Sequence, residues 1–382
     1  MEKKAVVAGH ICLDVIPQVD HHFDLLPGRL YEVGAPLMAT GGAVSNTGIA
    51  MHILGVPVTL MGKLGDDSFG QTILQVTRER AKGLEKGFVI DPKSSTSYSI
   101  VINIPGIDRI FLHSPGANAD YGADDVNYET VKKAALFHFG YPSFMAKTYA
   151  NQGRELIDMY RRVKACGATT SLDPGMPDAN GPAGKVAWAM LLRELLPSVD
   201  VFMPSADELL FFLEPVNFGK GDDLNPEDLS RLGAKMLELG TGIAAIKLGK
   251  RGMYLRTGSL ERLQKLGRAC PDNLECWANR ELWFPIFKED VFKGATGAGD
   301  TTIAGFLVSL LRNLSPEQAG AFACAVGACN VEAPDALGGI KNWEETQARI
   351  QKGWAKIPFQ VNAKGWRQNQ SAFWHGPADD VQ

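Results

Sequence analysis

Short apolar runs rich in β-branched residues alternate along this chain with stretches in which apolar residues recur every three or four positions. The runs lie at 5–8, 58–61, 135–138, 169–172, 199–203 and 243–247, and the stretches between them include 71–80, 151–164, 185–196 and 226–239. Runs of four or five residues bounded by turn signals fit strands, whereas three-to-four spacing paints one apolar stripe along a helix. The alternation predicts a three-layer α/β/α domain with a mostly parallel central sheet and ligands at the carboxyl ends of its strands. Two segments, 14–38 and 98–113, carry strand-like residues with no crossover helix. In the second, Tyr98 to Asn103 alternates loosely, and Asp108-Arg109 could turn it back into Ile110-Phe111-Leu112. A lone hairpin is marginal in water, so this one must lean on the main domain or on a second chain. Residues 258–287 read as an insertion that ends in an edge strand at 281–287. The tail at 363–382 has no periodicity and is expected to be poorly ordered.

The run Gly294-Ala295-Thr296-Gly297-Ala298-Gly299-Asp300-Thr301 nearly spells a phosphate-cradling loop, but an aspartate stands where the lysine would be. A carboxylate there would repel phosphate, so Asp300 reads as a base. Ile303, Phe306, Leu307, Leu310 and Leu311 follow at helical spacing. The amides of Gly297, Ala298 and Gly299 would therefore sit at a helix N-terminus, which carries roughly half a positive charge. Holding an anion beside a proton acceptor is what phosphoryl transfer to an alcohol requires. The competing reading is a glycine-rich turn whose Asp or Thr caps the helix. A second element, Gly41-Gly42-Ala43-Val44-Ser45-Asn46-Thr47-Gly48, opens another helix, and the Asn46 amide can donate to and accept from a sugar hydroxyl.

With these residues in view, the chain resembles the ribokinase-like (PfkB) carbohydrate kinases. The N-terminal signature of that family resembles Gly41-Gly42 through Asn46, Gly55 and Gly65-Asp66-Asp67-Ser68-Phe69-Gly70; the C-terminal one resembles Thr296-Gly297-Ala298-Gly299-Asp300. Between them, Ser114-Pro115-Gly116-Ala117-Asn118, the passage at 195–202 and Lys247-Leu248-Gly249-Lys250-Arg251-Gly252 match in order. The resemblance implies a kinase domain over 1–350, a small β-lid from about 14–40 and 96–116, and a C-terminal extension at 351–382, partly disordered. It further implies an ATP-dependent sugar kinase with Asp300 as general base and the 297–299 amides as the anion hole. Asp14, Gly41, Gly42 and Asn46 would hold the sugar. Lys247, Gly249, Gly252 and Thr296 would bind the nucleotide, with the first three lining the adenine side. Glu208 would support Mg2+ through water, and Asp173 is a weaker candidate on the phosphate side. A homodimer through the lid is the usual family arrangement.

Two departures stand out. Ser205 replaces the asparagine of the family's N-x-x-E segment, and Ser205-x-x-Glu208 also has the spacing of a helix capping box. Gly294 stands where the family usually has an aspartate that helps hold a monovalent cation, which argues against potassium activation. Asp66 and Asp67 read best as caps of the helix that follows. Two other functions fit the same motifs: a nucleoside kinase, with Phe23, Leu25, Leu26 and Phe111 as the slot for a base, and an idle sugar- or nucleotide-binding sensor.

Composition narrows the partners. At 382 residues and 45% hydrophobic, the chain can build a large core, and a net charge of −4 provides no footprint for nucleic acid or an anionic membrane. The apolar run at 5–8 is too short for a secretory segment and no apolar stretch approaches a membrane span, so a cytoplasmic enzyme is expected. Six cysteines are too sparse for a disulfide framework; Cys270 and Cys276 could form a metal pair or a bridge, but with no second Cys or His pair at ligand spacing they read best as free thiols.

Overall fold

The computed structural model describes residues 3–107 and 109–380; Asp108, at which the sequence suggested a turn, lies outside them. Among the described residues the central sheet has ten strands, in the order Arg367–Gln368, Trp374–His375, Glu281–Phe284, Met253–Thr257, Ile243–Lys247, Val201–Phe202, Thr169–Asp173, Leu136–Gly140, Ala5–Gly9 and Val58–Met61. The last six run parallel, and the first four add antiparallel. Strands covered on both faces are mostly apolar, which is why most central ones read as near-continuous runs; in Thr169–Asp173 the buried hydroxyls of Thr169, Thr170 and Ser171 each find a hydrogen-bond partner instead. Successive residues of Ala5–Gly9 enter opposite cores. Val7 packs in the same core as Leu60, Ile303 and Phe306, and Val6 in that of Phe137, Leu156 and Tyr160. The chain thereby forms the three-layer domain its periodicity predicted.

The two segments without crossover helices form a separate four-stranded sheet, Gly34–Gly41, Cys12–Gln18, Tyr98–Ile102 and Ile110–Ser114. It grows out of the carboxyl end of Ala5–Gly9 after only two residues. The close passage at that end depends on Gly9, whose φ is 123° and where a Cβ would stand 2.3 Å from the Gly140 carbonyl oxygen.

The tail departs from expectation. Trp374–His375 pairs with Leu282 and Trp283, so Glu281–Phe284 is an interior strand of the sheet and not its edge. What holds the tail is a buried ion pair: Arg280, 1% exposed, donates to Asp379 at 2.7 Å and also pairs with Glu317. Phe373 and Trp374 enter the two cores. An aromatic pair and one aspartate make no period, so the signal lies in their distant partners.

All six cysteines are free. Among the described residues no helix is long and apolar enough to cross a membrane, and no cluster of His, Cys, Asp and Glu could by itself hold a metal ion.

Candidate active site

The lid faces the carboxyl ends of the parallel strands across a cleft of about 780 Å³. Asp14, Gly42, Asn46, Glu208, Thr296, Gly297 and Asp300 all line it. Residues as much as 286 positions apart in sequence are thus brought to one cavity, as strand-end placement predicts.

Asp300 lies in the first turn of the helix Ala298–Leu311, whose N-cap is Gly297 with φ 73° and no side-chain bond. A Cβ at Gly297 would stand 2.6 Å from the Ala336 Cβ, so glycine is required there on both counts. The Asp300 carboxylate does not cap. Only 3% exposed, it accepts from the Asn46 amide at 3.0 Å and from the Tyr141 hydroxyl at 2.8 and 2.9 Å. Burial pushes its pKa up, while the bonds from Asn46 and Tyr141 and the nearby Lys247 charge oppose the rise. A carboxyl tuned upward in a cleft is a better proton acceptor than a surface aspartate. The Ala298 amide, expected to face an anion, instead donates to the Ala295 carbonyl at 3.2 Å to close the turn.

Lys247 ends the strand Ile243–Lys247. Its ammonium donates to Asp173 at 2.8 Å and lies 4.0 Å from Glu208. A Cβ at Gly299 would stand 3.8 Å from that same ammonium nitrogen. This puts Lys247 beside the glycine loop and next to two carboxylates. Burial works against the lysine's charge, but Asp173 and Glu208 outweigh it and hold the ammonium above its usual pKa. For Asp173, burial dominates and raises the carboxyl. Gly252 serves the fold, since a Cβ there would stand 1.9 Å from the Phe284 carbonyl oxygen; Gly249 is exposed and has nothing within 4 Å. Ser205 and Glu208 form a reciprocal capping box, in which Glu208 Oε2 accepts from the Ser205 amide at 2.6 Å. The cap and a role at the cleft coexist, because Glu208 still lines the cavity. Asp67 is an N-cap, as read from sequence, accepting from Gly70 at 2.8 Å.

At the lid end, Asp14 accepts from the Cys12 thiol at 3.4 Å. Burial raises its pKa to about 6, against bonds from Cys12 and Ser99. A Cβ at Gly41 would strike its Oδ2 at 2.3 Å, so Gly41 makes room for Asp14. Gly42, with φ 86°, passes similarly close to His10. Sequence reasoning missed His10, Ser99, His113 and Tyr141. His10 and His113 approach within 3.3 Å, nitrogen to nitrogen, and Ser99 bonds His113 at 3.0 Å, forming a polar link from the body to the lid. The lid's Arg109 reaches Thr296 in the glycine loop. Of the residues considered for a base slot, Phe111 lines the cleft, but Leu25 and Leu26 are exposed and Phe23 stacks on Tyr31 at 4.4 Å. The aromatic wall comes instead from Tyr141, Phe144 and Tyr149. Tyr141 directly follows the strand Leu136–Gly140, so strand-end position was the signal that could have found it.

Comparison with known proteins gives a consistent result. The family described as "pfkB family carbohydrate kinase" matches residues 2–342. Fructokinase-1 of Zea mays is 30% identical over 205 residues, covering 53% of this chain and 60% of the maize protein, so that match spans less than two thirds of the relative. An uncharacterized sugar kinase of Archaeoglobus fulgidus is 26% identical over 75% of this chain and 96% of its own length. Among solved structures, fructokinase with bound ATP from Xylella fastidiosa superposes with a TM-score of 0.70 at 22% identity, covering 92% of this chain and 99% of that one. Arabidopsis thaliana ribokinase complexed with ribose and ATP does so with a TM-score of 0.70 at 20% identity, with the same coverage.

Proposed function

Because this chain belongs to the pfkB family of carbohydrate kinases, we propose that it transfers the γ-phosphate of ATP to a hydroxyl of a small carbohydrate, with Asp300 as the general base. The observation that carries this reading is the Asp300 carboxylate itself: buried in a ligand-sized cleft, spent on Asn46 and Tyr141 and not on capping its helix. Solved neighbours described as binding ATP, and in one case ribose with it, support the choice of donor and acceptor class.

In this reading Asp14 accepts from the acceptor's hydroxyls at the lid end and orients the sugar. The attacking hydroxyl gives its proton to Asp300 as its oxygen bonds the γ-phosphorus, and ADP leaves with the bonding pair. The helix N-terminus behind Gly297, with Lys247 beside Gly299, balances the charge that spreads over the transferred group. Asn46, assigned from sequence to the sugar, also holds the base. The donor set fits Mg2+ in one way only. Asp173 and Glu208 share the Lys247 ammonium, yet no protein cluster closes around an ion among the described residues, as expected where phosphates and water supply most ligands. Glu208, with Asp173 near it, would hold such an ion through water. When bound, Mg2+ neutralises phosphate charge.

The aromatic wall of Tyr141, Phe144 and Tyr149 favours a nucleoside as the second reading, since a planar base can stack there. A second copy covering the exposed lid residues Leu37 and Leu112 would give the homodimer that the family resemblance implies. ADP release measured against pentoses, hexoses and nucleosides tests the activity. Turnover with a sugar supports the proposal, turnover with nucleosides alone selects the second reading, and ligand binding without turnover leaves a sensor.

A further inference from the structure

Tyr141 stands out because its backbone and its side chain are both unusual. It adopts φ 63° and ψ 46°, the left-handed region that bulky L residues avoid and that, off glycine, clusters at functional sites. Its amide donates to the Asp173 carbonyl at 2.8 Å and its carbonyl accepts from Phe144 at 3.0 Å, so the conformation is held from both sides. Phe144 and His10 pack on the ring with centroids 5.3 and 6.0 Å away. Gly175 makes room for it, because a Cβ there would stand 3.0 Å from the ring. Had the residue continued the strand geometry, its side chain would follow the sheet alternation; the left-handed turn sends it across the cleft to Asp300.

We propose that Tyr141 is a positioning residue for Asp300: its hydroxyl, shared between both carboxylate oxygens, sets the carboxylate's orientation and leaves a lone pair for the acceptor hydroxyl. An ionised carboxylate offers about four acceptor directions. One carries the Asn46 amide and two carry the Tyr141 hydroxyl. A hydrogen bond to the ionised form also favours that form, so Tyr141 helps keep the buried base unprotonated. The other charged groups facing the site pull both ways: Lys247 favours the ionised carboxylate, and Glu208 and Asp173 oppose it. His10, against the Tyr141 ring, is held neutral by burial and by His113.

The inference rests on Asp300 being the base, so Tyr141→Phe is to be compared with Asp300→Asn in the same ADP-release assay. Tyr141→Phe keeps the ring and its packing and removes one oxygen atom. The expected result is a fall in kcat of roughly 10- to 100-fold, an ATP KM close to that of the parent, a cooperative melt at a slightly lower temperature, since a higher Asp300 pKa in the folded protein costs stability at neutral pH, and an acid limb of kcat/KM displaced to higher pH. A ¹³C titration of the Asp300 carboxyl, which needs no turnover, should show the same upward displacement. A parental kcat and acid limb in Tyr141→Phe would overturn the inference while leaving the Asp300 result to judge the base. Lost turnover with an unmoved Asp300 titration would also overturn it, because a merely structural role predicts that outcome. Full turnover in Asp300→Asn would remove the reading beneath and the inference with it.

Discussion

Replacing Asp300 with asparagine separates the two readings that its sequence context allowed. The side chain keeps its size, one oxygen and one hydrogen-bonding arm. The retained oxygen can still accept from Asn46, now at 3.0 Å, and the Tyr141 hydroxyl can rotate to accept from the new amide. The helix start survives independently, since Thr301 donates its amide to the Gly297 carbonyl at 2.9 Å and the cap is Gly297, not Asp300. Stability should therefore shift little; it should even gain from the loss of a buried charge, because burial raises the Asp300 pKa and so costs the ionised protein free energy. Turnover is another matter. Removing a positioned general base costs about 10²- to 10⁴-fold, or about 2.7 to 5.4 kcal/mol on the barrier at 1.36 kcal/mol per tenfold. The assay is steady-state ADP release at saturating ATP and acceptor, run beside a melting curve and a calorimetric ATP titration. A variant with parental turnover and an intact melt would refute the general-base assignment. A variant that melts far lower would refute the claim that this carboxylate is not a structural cap.

Three further outcomes follow. The Asp14 pKa stands at about 6 against an ordinary 3.8, so folding binds a proton there and this group's contribution to stability falls as pH rises from about 4 to 6, then stays flat. Asp14→Asn should thus melt higher than the parent near pH 7, by up to about 3 kcal/mol, with the gap closing near pH 4, while the acceptor KM rises and the ATP KM does not; equal melts at both pH values would contradict it. Exchanging potassium for sodium at fixed ionic strength should leave turnover little changed, because Gly294 offers no charge to hold a cation; saturable potassium activation would refute this. Asp379→Ala should lower stability by about 3 kcal/mol, near the low end for breaking a buried pair because Glu317 still faces Arg280; an unchanged denaturation midpoint would show that the tail is not held by that pair.

What the sequence alone determined was whatever is encoded locally. Strands packed between helix layers carry mostly apolar side chains, so Ile243–Lys247 and Val58–Met61 announced themselves with their bounds. Asp67 and the Ser205–Glu208 box could be recognised as caps, because a cap and its partner lie three residues apart. The glycines at 42 and 297 were legible as well, since a positive φ with close neighbours admits little else. Tertiary structure decided the interactions whose partners lie far away. Whether Asp300 capped its helix or faced the cleft depended on Asn46 and Tyr141, which are 254 and 159 residues distant. The charge partner of Lys247 was likewise set by the sheet, which brings Asp173 to it across the intervening strand Val201–Phe202. The tail carries no period of its own, yet it completes the sheet because Arg280 is buried and needs Asp379. A buried charge or a base takes its chemistry from whatever the fold brings against it, and no spacing along the chain records that.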